Sequence, residues 1–290
     1  MKYRHSFHAG NFADVHKHVT LLALLRALQH KDKGFLYLDT HAGRGSYDLS
    51  SPSAEAAGGI VRLLEAQPAA AELREFTALL QRLRATPASR YVYPGSPLIA
   101  ASLLREQDRA VFVELLGPEA HALEQALAAL APGGDRARLR VERGNGFERL
   151  RAFLPPAQRR GLILLDPPYE EAQDFAHLTR ALTDGLQRFP TGVFVAWYPI
   201  KDERTTRAWL ATCAKTLPGP AMVSELWLYP RDSRVGLNGS GLLLVNPPYQ
   251  FDERAALWQE ELLGVLDKTH RGGSATRALN AALAGHDALS

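Results

Sequence analysis

The chain predicts an α/β protein with one mostly parallel, seven-stranded sheet whose last strand is antiparallel. Three observations lead there. Short apolar runs alternate with stretches of helical spacing over most of the 290 residues. Each of the first five runs is followed by a helical pattern, and helical crossovers make successive strands parallel. The last two runs, "SELWLYP" and "SGLLLVNPP", are joined by a short linker without helical pattern, so they should lie antiparallel. A composition of 46% hydrophobic and 22% charged residues supports a sizeable core.

Residues 1–18, "MKYRHSFHAGNFADVHKH", hold His5, His8, His16 and His18, two lysines and an arginine against one acid. "VTLLALLRALQHKD" then reads as a helix with Leu21, Leu22, Leu25 and Leu28 near one face. "GFLYLD" (34–39) is a short buried strand behind a Lys-Gly break, and "THAGRGSYD" follows at once. Residues 48–93 interrupt the alternation as a helical insertion, with "SSPSAEAAGG" as loop. Leu73, Phe76, Leu80 and Leu83 form one stripe of a helix there. The alternation resumes with a helix in "PLIAASLLREQ" and a strand in "RAVFVELL" that ends near Glu114. Next come a helix ended by Gly133 and Gly134, a short strand with a loop at Asn145-Gly146, and the strand and loop "GLILLDPPY". After an intervening helix, "TGVFVAWYPI" is the fifth strand; another helix precedes the two closing strands. "DERAALWQEELLGVLDK" is the last helix. The core is therefore expected over 1–47 and 94–270, with a fraying tail over 271–290.

One cysteine, Cys213, permits no internal disulfide framework and fits a reducing, cytoplasmic setting. No apolar run approaches the ~20 residues of a membrane span. The first 30 residues lack an apolar signal core. A net charge of +3 permits a nucleic-acid partner without demanding one.

Ligands of open parallel sheets bind beyond the carboxyl ends of the strands. Four motifs fall there. Asp39 to Gly45, D-T-H-A-G-R-G, suits close approach of a ligand to the backbone, or simply a tight turn. Glu114 can accept two ribose hydroxyls, or be a solvated strand-end acid. Asn145-Gly146 can read an adenine edge, or form an ordinary Asn-Gly turn. In Asp166-Pro167-Pro168-Tyr169 two prolines stiffen the loop and remove donors. The acceptors of Asp166 and Pro167 beside the face of Tyr169 suit a planar ring bearing an exocyclic NH₂. The histidines of the first segment have no cysteine or close acid pair beside them, so no metal site is expected. Binding an anion or covering a ligand suits that segment better. Arg159, Arg160 and Arg231 are candidate phosphate contacts, or plain solubility charges.

"YRHSFHAGNFADVHKH", "FLYLDTHAGRG", "YPGSPLIA", "GLILLDPPYE" and "VAWYP" together resemble the bacterial 23S ribosomal RNA adenine-N6 methyltransferase J family, in order and spacing, over about residues 2–250. The D-P-P-Y loop alone marks only the wider class of amino-methylating enzymes. The resemblance implies a Rossmann-like class I fold that uses S-adenosylmethionine, and methylation of N6 of one adenine in 23S ribosomal RNA. It implies action on free RNA rather than the assembled subunit, by a monomer. It places cofactor contacts on His18, His41, Ser96, Glu114, Asn145, Gly146 and Asp166. Asp166, Pro167 and Tyr169 would be catalytic, and Tyr3 and Lys17 would meet the substrate. Asn145 stands where the family commonly has Asp, which loses a charge and keeps an acceptor.

Two rivals remain at this stage. A DNA adenine methyltransferase would carry a duplex-reading module, and the short insertion is not conspicuously basic. A non-catalytic RNA-binding module would have lost its cofactor residues, yet the Gly-rich turn, Glu114 and D-P-P-Y are present. A second tetrapeptide, Asn246-Pro247-Pro248-Tyr249, also follows an apolar run. It ends the strand expected to run the other way, which would open it on the opposite edge.

Overall fold

The computed structural model describes residues 8–130, 138–170 and 173–280. Tyr3, His5 and the Gly133-Gly134 helix end lie outside them. Helix α1 (Phe12–Gln29) precedes strands β1 (Leu36–Asp39) and β2 (Ser46–Asp48). Helices α2 (Ala54–Ala56), α3 (Arg62–Glu65) and α4 (Ala71–Leu83) lead to strand β3 (Val92–Pro94) and helix α5 (Ser96–Leu103). Then come β4 (Arg109–Glu114), α6 (Gly117–Leu130), β5 (Leu139–Arg143), α7 (Gly146–Arg149), β6 (Gly161–Leu165) and α8 (Asp174–Arg188). The chain closes with β7 (Val193–Ile200), α9 (Glu203–Thr216), β8 (Ala221–Trp227), β9 (Gly239–Val245), α10 (Phe251–Leu266) and β10 (Gly273–Ala278).

The main sheet has eight strands in the order β5-β4-β1-β6-β7-β9-β8-β10. The five expected parallel strands are parallel, with β1 between β4 and β6. The antiparallel partner β9 slots between β7 and β8. The eighth strand corrects the expected seven, and part of the expected frayed tail is ordered: Gly273–Ala278 pairs antiparallel with β8. Its small residues show no alternation to read. Gly272 and Gly273 lie against Trp227, where a Cβ would sit 2.3 Å from its carbonyl oxygen and 2.4 Å from its ring. Among the described residues no helix is long and apolar enough to cross a membrane.

Helices cover both faces. Tyr37, Leu162, Leu164, Val195, Leu242 and Leu244 meet the layer of α1, α5, α6 and α10. The alternate residues Leu38, Ile163, Leu165, Phe194 and Leu243 meet α8 and α9. This alternation is the period-2 consequence of a strand buried on both faces.

Helix α1 starts earlier than the sequence suggests, capped by Asn11, whose side chain accepts from the Asp14 N–H. Its burial is not one-sided: Ala23 and Leu24 are as buried as Leu21 and Leu25. A helix with no solvent-facing side over most of its length needs cover all round. That cover comes from the insertion, whose Leu73, Phe76, Leu79 and Leu80 join the α1 core rather than forming their own. The expected loop "SSPSAEAAGG" is largely helical, α2 running through a π turn at Ala57–Val61 into α3. Strands β2 and β3 pair antiparallel at the neck of the insertion. The π turn presses on the chain entering α1: the Ile60 N–H donates to the Gly10 carbonyl at 2.8 Å. Glu55 accepts from Asn11 and pairs with His8.

A Cβ on Gly59 would lie 2.3 Å from the Gly10 oxygen, so backbone must move to admit it. Gly59→Ala should cost roughly 1–3 kcal/mol, read as a lower urea midpoint. An unchanged midpoint would contradict this close seating.

Candidate active site

Helix α1 crosses the face of the sheet and returns at Lys31–Gly34 to start β1, so its first turns sit at the carboxyl edge of the parallel strands. That edge is where β6 delivers Asp166. The Lys17 ammonium donates to Asp166 Oδ2 at 2.6 Å and pairs with Asp14 Oδ1 at 2.9 Å. All three side chains are largely withdrawn from water. Burial alone would lower the lysine pKa, but the charges and hydrogen bonds of Asp14 and Asp166 outweigh it and hold Lys17 above its ordinary value. Asp166 Oδ1 has no hydrogen-bond donor among the described residues. The acid therefore keeps one oxygen fixed and one available.

The loop behind Asp166 is rigid. Tyr169 adopts a left-handed backbone with φ 54°, an uncommon state for a residue with a side chain. Its hydroxyl donates to the Trp197 carbonyl at 2.5 Å, and its ring meets Trp197 edge-on at 5.6 Å and Phe175 at 5.0 Å. The ring is half-buried, so its orientation is set before any ligand arrives. Lys17 lies 5.6 Å from the centre of the Trp197 ring. The Trp197 indole N–H donates to Ser240 Oγ, which also bonds His16 Nδ1; each distance is 3.0 Å. His16 Nε2 meets Ser224 Oγ at 3.0 Å. This fully buried histidine is held neutral, its pKa lowered by burial to about 3.

Where β1 and β4 reach the same edge, Asp39 is a hub. Ser96 and Tyr37 hydroxyls donate to its Oδ2 at 2.7 and 3.0 Å. Burial raises its pKa to about 6. Glu114 Oε2 accepts from the Gly43 N–H and Oε1 from the Leu116 N–H, both at 2.8 Å. Burial also raises its pKa. Gly43 has φ 62°, where a side chain would be strained. Asn145 caps α7, its oxygen accepting from the Phe147 N–H at 3.0 Å. Gly146 lets that helix approach β1, since a Cβ would lie 1.8 Å from the Thr40 oxygen. His41 bonds Thr40 Oγ1 at 2.8 Å and packs edge-on to Phe147; burial lowers its pKa to about 4.

Glu114, Asn145, Gly146, His41 and Asp166 thus share one edge with Lys17. Several side chains are spent differently from their expected roles. His18 is buried and bonds the Tyr93 hydroxyl at 2.7 Å. Ser96 gives its hydroxyl to Asp39, and the side-chain oxygen of Asn145 accepts at the helix cap, which leaves its amide N–H₂ for an adenine edge. Lys17, expected at the substrate, is bound by two carboxylates. Arg231 is no open phosphate contact: it pairs with Glu203 and Glu225. Arg159 and Arg160 precede β6 on the far edge, where Arg160 bonds the Leu28 carbonyl at 2.6 Å. No group of three His, Cys, Asp or Glu among the described residues is placed to hold a metal ion. The second tetrapeptide stands on that far edge too: Asn246 donates to the Pro190 and Gly192 carbonyls at 2.8 and 2.9 Å. Its Tyr249 is 87% exposed.

A family model described as "Ribosomal RNA large subunit methyltransferase D, RlmJ" matches residues 32–276. The chain belongs to this family. The ribosomal RNA large subunit methyltransferase J of Escherichia coli K12 is 40% identical over 258 residues, 88% of this chain and 90% of that protein. Its Haemophilus influenzae counterpart is 37% identical over 273 residues, 93% and 94% of the two chains. A crystal structure of a Legionella pneumophila protein, 33% identical, superposes with a TM-score of 0.83 over 93% of this chain and 98% of that one. A Corynebacterium glutamicum probable spermidine synthase, 12% identical, shares the fold alone at a TM-score of 0.51. This RlmJ-family chain is thus a methyltransferase with a Rossmann-like class I fold.

Sequence reasoning missed the pairing of Asp14 with Lys17, and missed Trp197 and Leu115; it read Asp39 only as the start of the glycine-rich turn. Asp14 was findable, since i,i+3 spacing puts it beside Lys17. Leu115, 60% exposed next to Glu114, is visible only once the strand end is placed.

Between His16's ordinary value of 6.5 and about 3, the unfolded chain binds a proton that the folded chain does not. Stability should be full above about pH 6.5 and fall as pH drops towards 3, with His41 adding in the same direction. Asp39 acts oppositely between its ordinary 3.8 and about 6. His16→Gln, which bonds without titrating, should flatten the fall in urea midpoint from pH 7 to 5. A wild-type midpoint that does not fall over that range would contradict the assignment.

Proposed function

We propose that the enzyme uses S-adenosylmethionine to methylate the exocyclic N6 of one specific adenine in 23S ribosomal RNA, acting as a monomer on free RNA. The observation that carries the reading is Asp166: one oxygen is tied to Lys17 and the other has no donor among the described residues, at the head of a rigid Pro-Pro-Tyr loop.

The residues on the cofactor edge fit that group. Exposed Leu115 beside Glu114 offers an apolar face for a purine next to a carboxylate for the ribose. Gly43 and Gly146 keep the backbone open, and the Asn145 amide N–H₂ can donate to the adenine edge. His18 and Ser96 act from behind: Ser96 fixes Asp39 and leaves its backbone N–H in the first turn of α5. His41 and Asp166 border the reacting end. When bound, the cofactor would supply an electrophilic sulfonium methyl, the pair of the broken sulfur–carbon bond staying on sulfur as a neutral thioether.

The target base leaves its stack, at a cost of a few kcal/mol, and stacks on Tyr169; Lys17 acts on it through Asp166, and Tyr3 is a substrate contact by family resemblance alone. Asp166 Oδ1 and the Pro167 carbonyl accept the two N6 hydrogens, which turns the nitrogen lone pair out of the ring system. Their negative ends favour the positive charge that grows on nitrogen. Much of the rate comes from alignment. A carboxylate already paired with an ammonium is a poor base. Asp166 therefore takes the N6 proton only once the carbon–nitrogen bond has formed and the nitrogen is cationic, then passes it to solvent.

Asp166→Ala should lower methyl transfer to unmodified 23S RNA by about 10²–10³-fold or more, with cofactor binding still measurable by calorimetry. Tyr249→Ala, in the second tetrapeptide, should react at the wild-type rate. Near-normal turnover by Asp166→Ala would sink the mechanism.

A further inference from the structure

A cleft of about 1070 Å³ opens between the start of α9 and the β8–β9 loop. Its α9 wall is one helix stripe, Arg204, Arg207, Ala208 and Ala211, spaced i, i+3, i+4 and i+7. Lys201 stands at its base and Arg234 faces from the loop. The alanines leave room and the long cationic side chains line the opening. Three acids share the lining with the four cations Lys201, Arg204, Arg207 and Arg234: Asp202 caps α9 by accepting from the Thr205 N–H at 2.7 Å, Glu203 is bound by Arg231, and Asp232 is exposed. Lys201, Arg204 and Arg234 are exposed; Lys201 and Arg234 form no ion pair among the described residues, and Arg204 lies near the capping carboxylate of Asp202 without a close ion pair.

The walls are built in advance. Asn238, fully buried, donates to the carbonyls of Lys201, Arg231 and Ser233 at 3.2, 3.1 and 2.7 Å, and its oxygen accepts from Ser233 at 2.8 Å. Arg231 ties the loop to buried Glu225 on β8 and to Glu203 on α9. Buried polar groups with every partner satisfied hold an exposed loop in one shape. An ordinary solvated loop has no need of such anchoring.

The cleft stands on the catalytic edge. Ala196 of β7 pairs with Leu165, the residue before Asp166, and β7 continues four residues to Ile200. At ~3.3 Å per residue, Lys201 stands roughly 15 Å beyond that edge. That is roughly four to five stacked nucleotides at ~3.4 Å each. We propose that this cleft grips the phosphodiester backbone of the RNA strand flanking the target base. Arg204, Arg234 and Lys201 are its phosphate ligands, arginine forks matching phosphate geometry. The assignment rests on the RNA-methylating reading above and adds where the substrate is held.

The test is direct binding of an unmodified 23S RNA transcript, measured apart from methyl transfer, over a salt series. The double variant Arg204→Glu/Arg234→Glu should bind at least ~10-fold more weakly. Its log–log salt slope should be shallower by roughly 1.4–1.8, at about 0.7–0.9 for each phosphate that the two arginines neutralise. Cofactor titration should be unchanged. Ala208→Trp, on the exposed side of α9, fills the cleft without altering charge and should weaken RNA binding as well. Weakened binding in both supports the cleft even if the wild-type protein proves to transfer no methyl group, a result that would count against the catalytic reading alone. Wild-type affinity and slope in the folded double variant, or wild-type affinity in Ala208→Trp, would overturn the proposal.

Discussion

The site depends on one buried ammonium held by two carboxylates. Lys17 reaches from α1 to Asp166 across 149 residues of sequence and is braced by Asp14 three residues earlier on its own helix. Burying such charges costs several kcal/mol per ion unless they are paired and hydrogen-bonded, and removing one partner typically costs about 3–5 kcal/mol. The arrangement therefore requires that α1 be seated without play. Apolar cover all round α1 supplies that seat, which gives the insertion its structural purpose. Its helices complete the α1 core, and its π turn clamps the chain just before the helix.

The same helix couples the two ends of the chain. His16, one residue before Lys17, joins β8 and β9 through Ser224 and Ser240, and Gln259 of α10 donates towards it at 3.1 Å. Ser240 fixes the indole of Trp197, whose carbonyl fixes Tyr169. The Asp166–Tyr169 loop is thus positioned by strands placed after it in sequence. A neutral histidine suits this task, because it can donate at one nitrogen and accept at the other. The antiparallel β9 is what brings Ser240 beside Trp197.

Strand direction was legible because it follows from connection length, and it separated two near-identical tetrapeptides that no local pattern distinguishes. Asp166 and Asn246 lie on opposite edges for that reason alone. The shared edge of Gly43, Glu114, Asn145 and Asp166 was legible on the same ground. Two kinds of feature were not. Segments dominated by small residues, 54–59 and 273–278, carry no apolar period, so neither the α2–α3 turn nor β10 announced itself. Long-range use of polar groups was equally hidden. His18 on Tyr93, Ser96 on Asp39 and Arg231 on Glu225 are contacts that only the packed chain creates.

An acid and a carbonyl that each accept one hydrogen suit an amino group and nothing else on a nucleobase or ribose. The identity of the methylated nucleoside therefore bears most directly on the site. Wild-type enzyme, labelled S-adenosylmethionine and ribosomal RNA from cells lacking the activity should give digests whose label resides in N6-methyladenosine. Label in a ribose-methylated or ring-carbon-methylated nucleoside would contradict the reading of Asp166 and its loop.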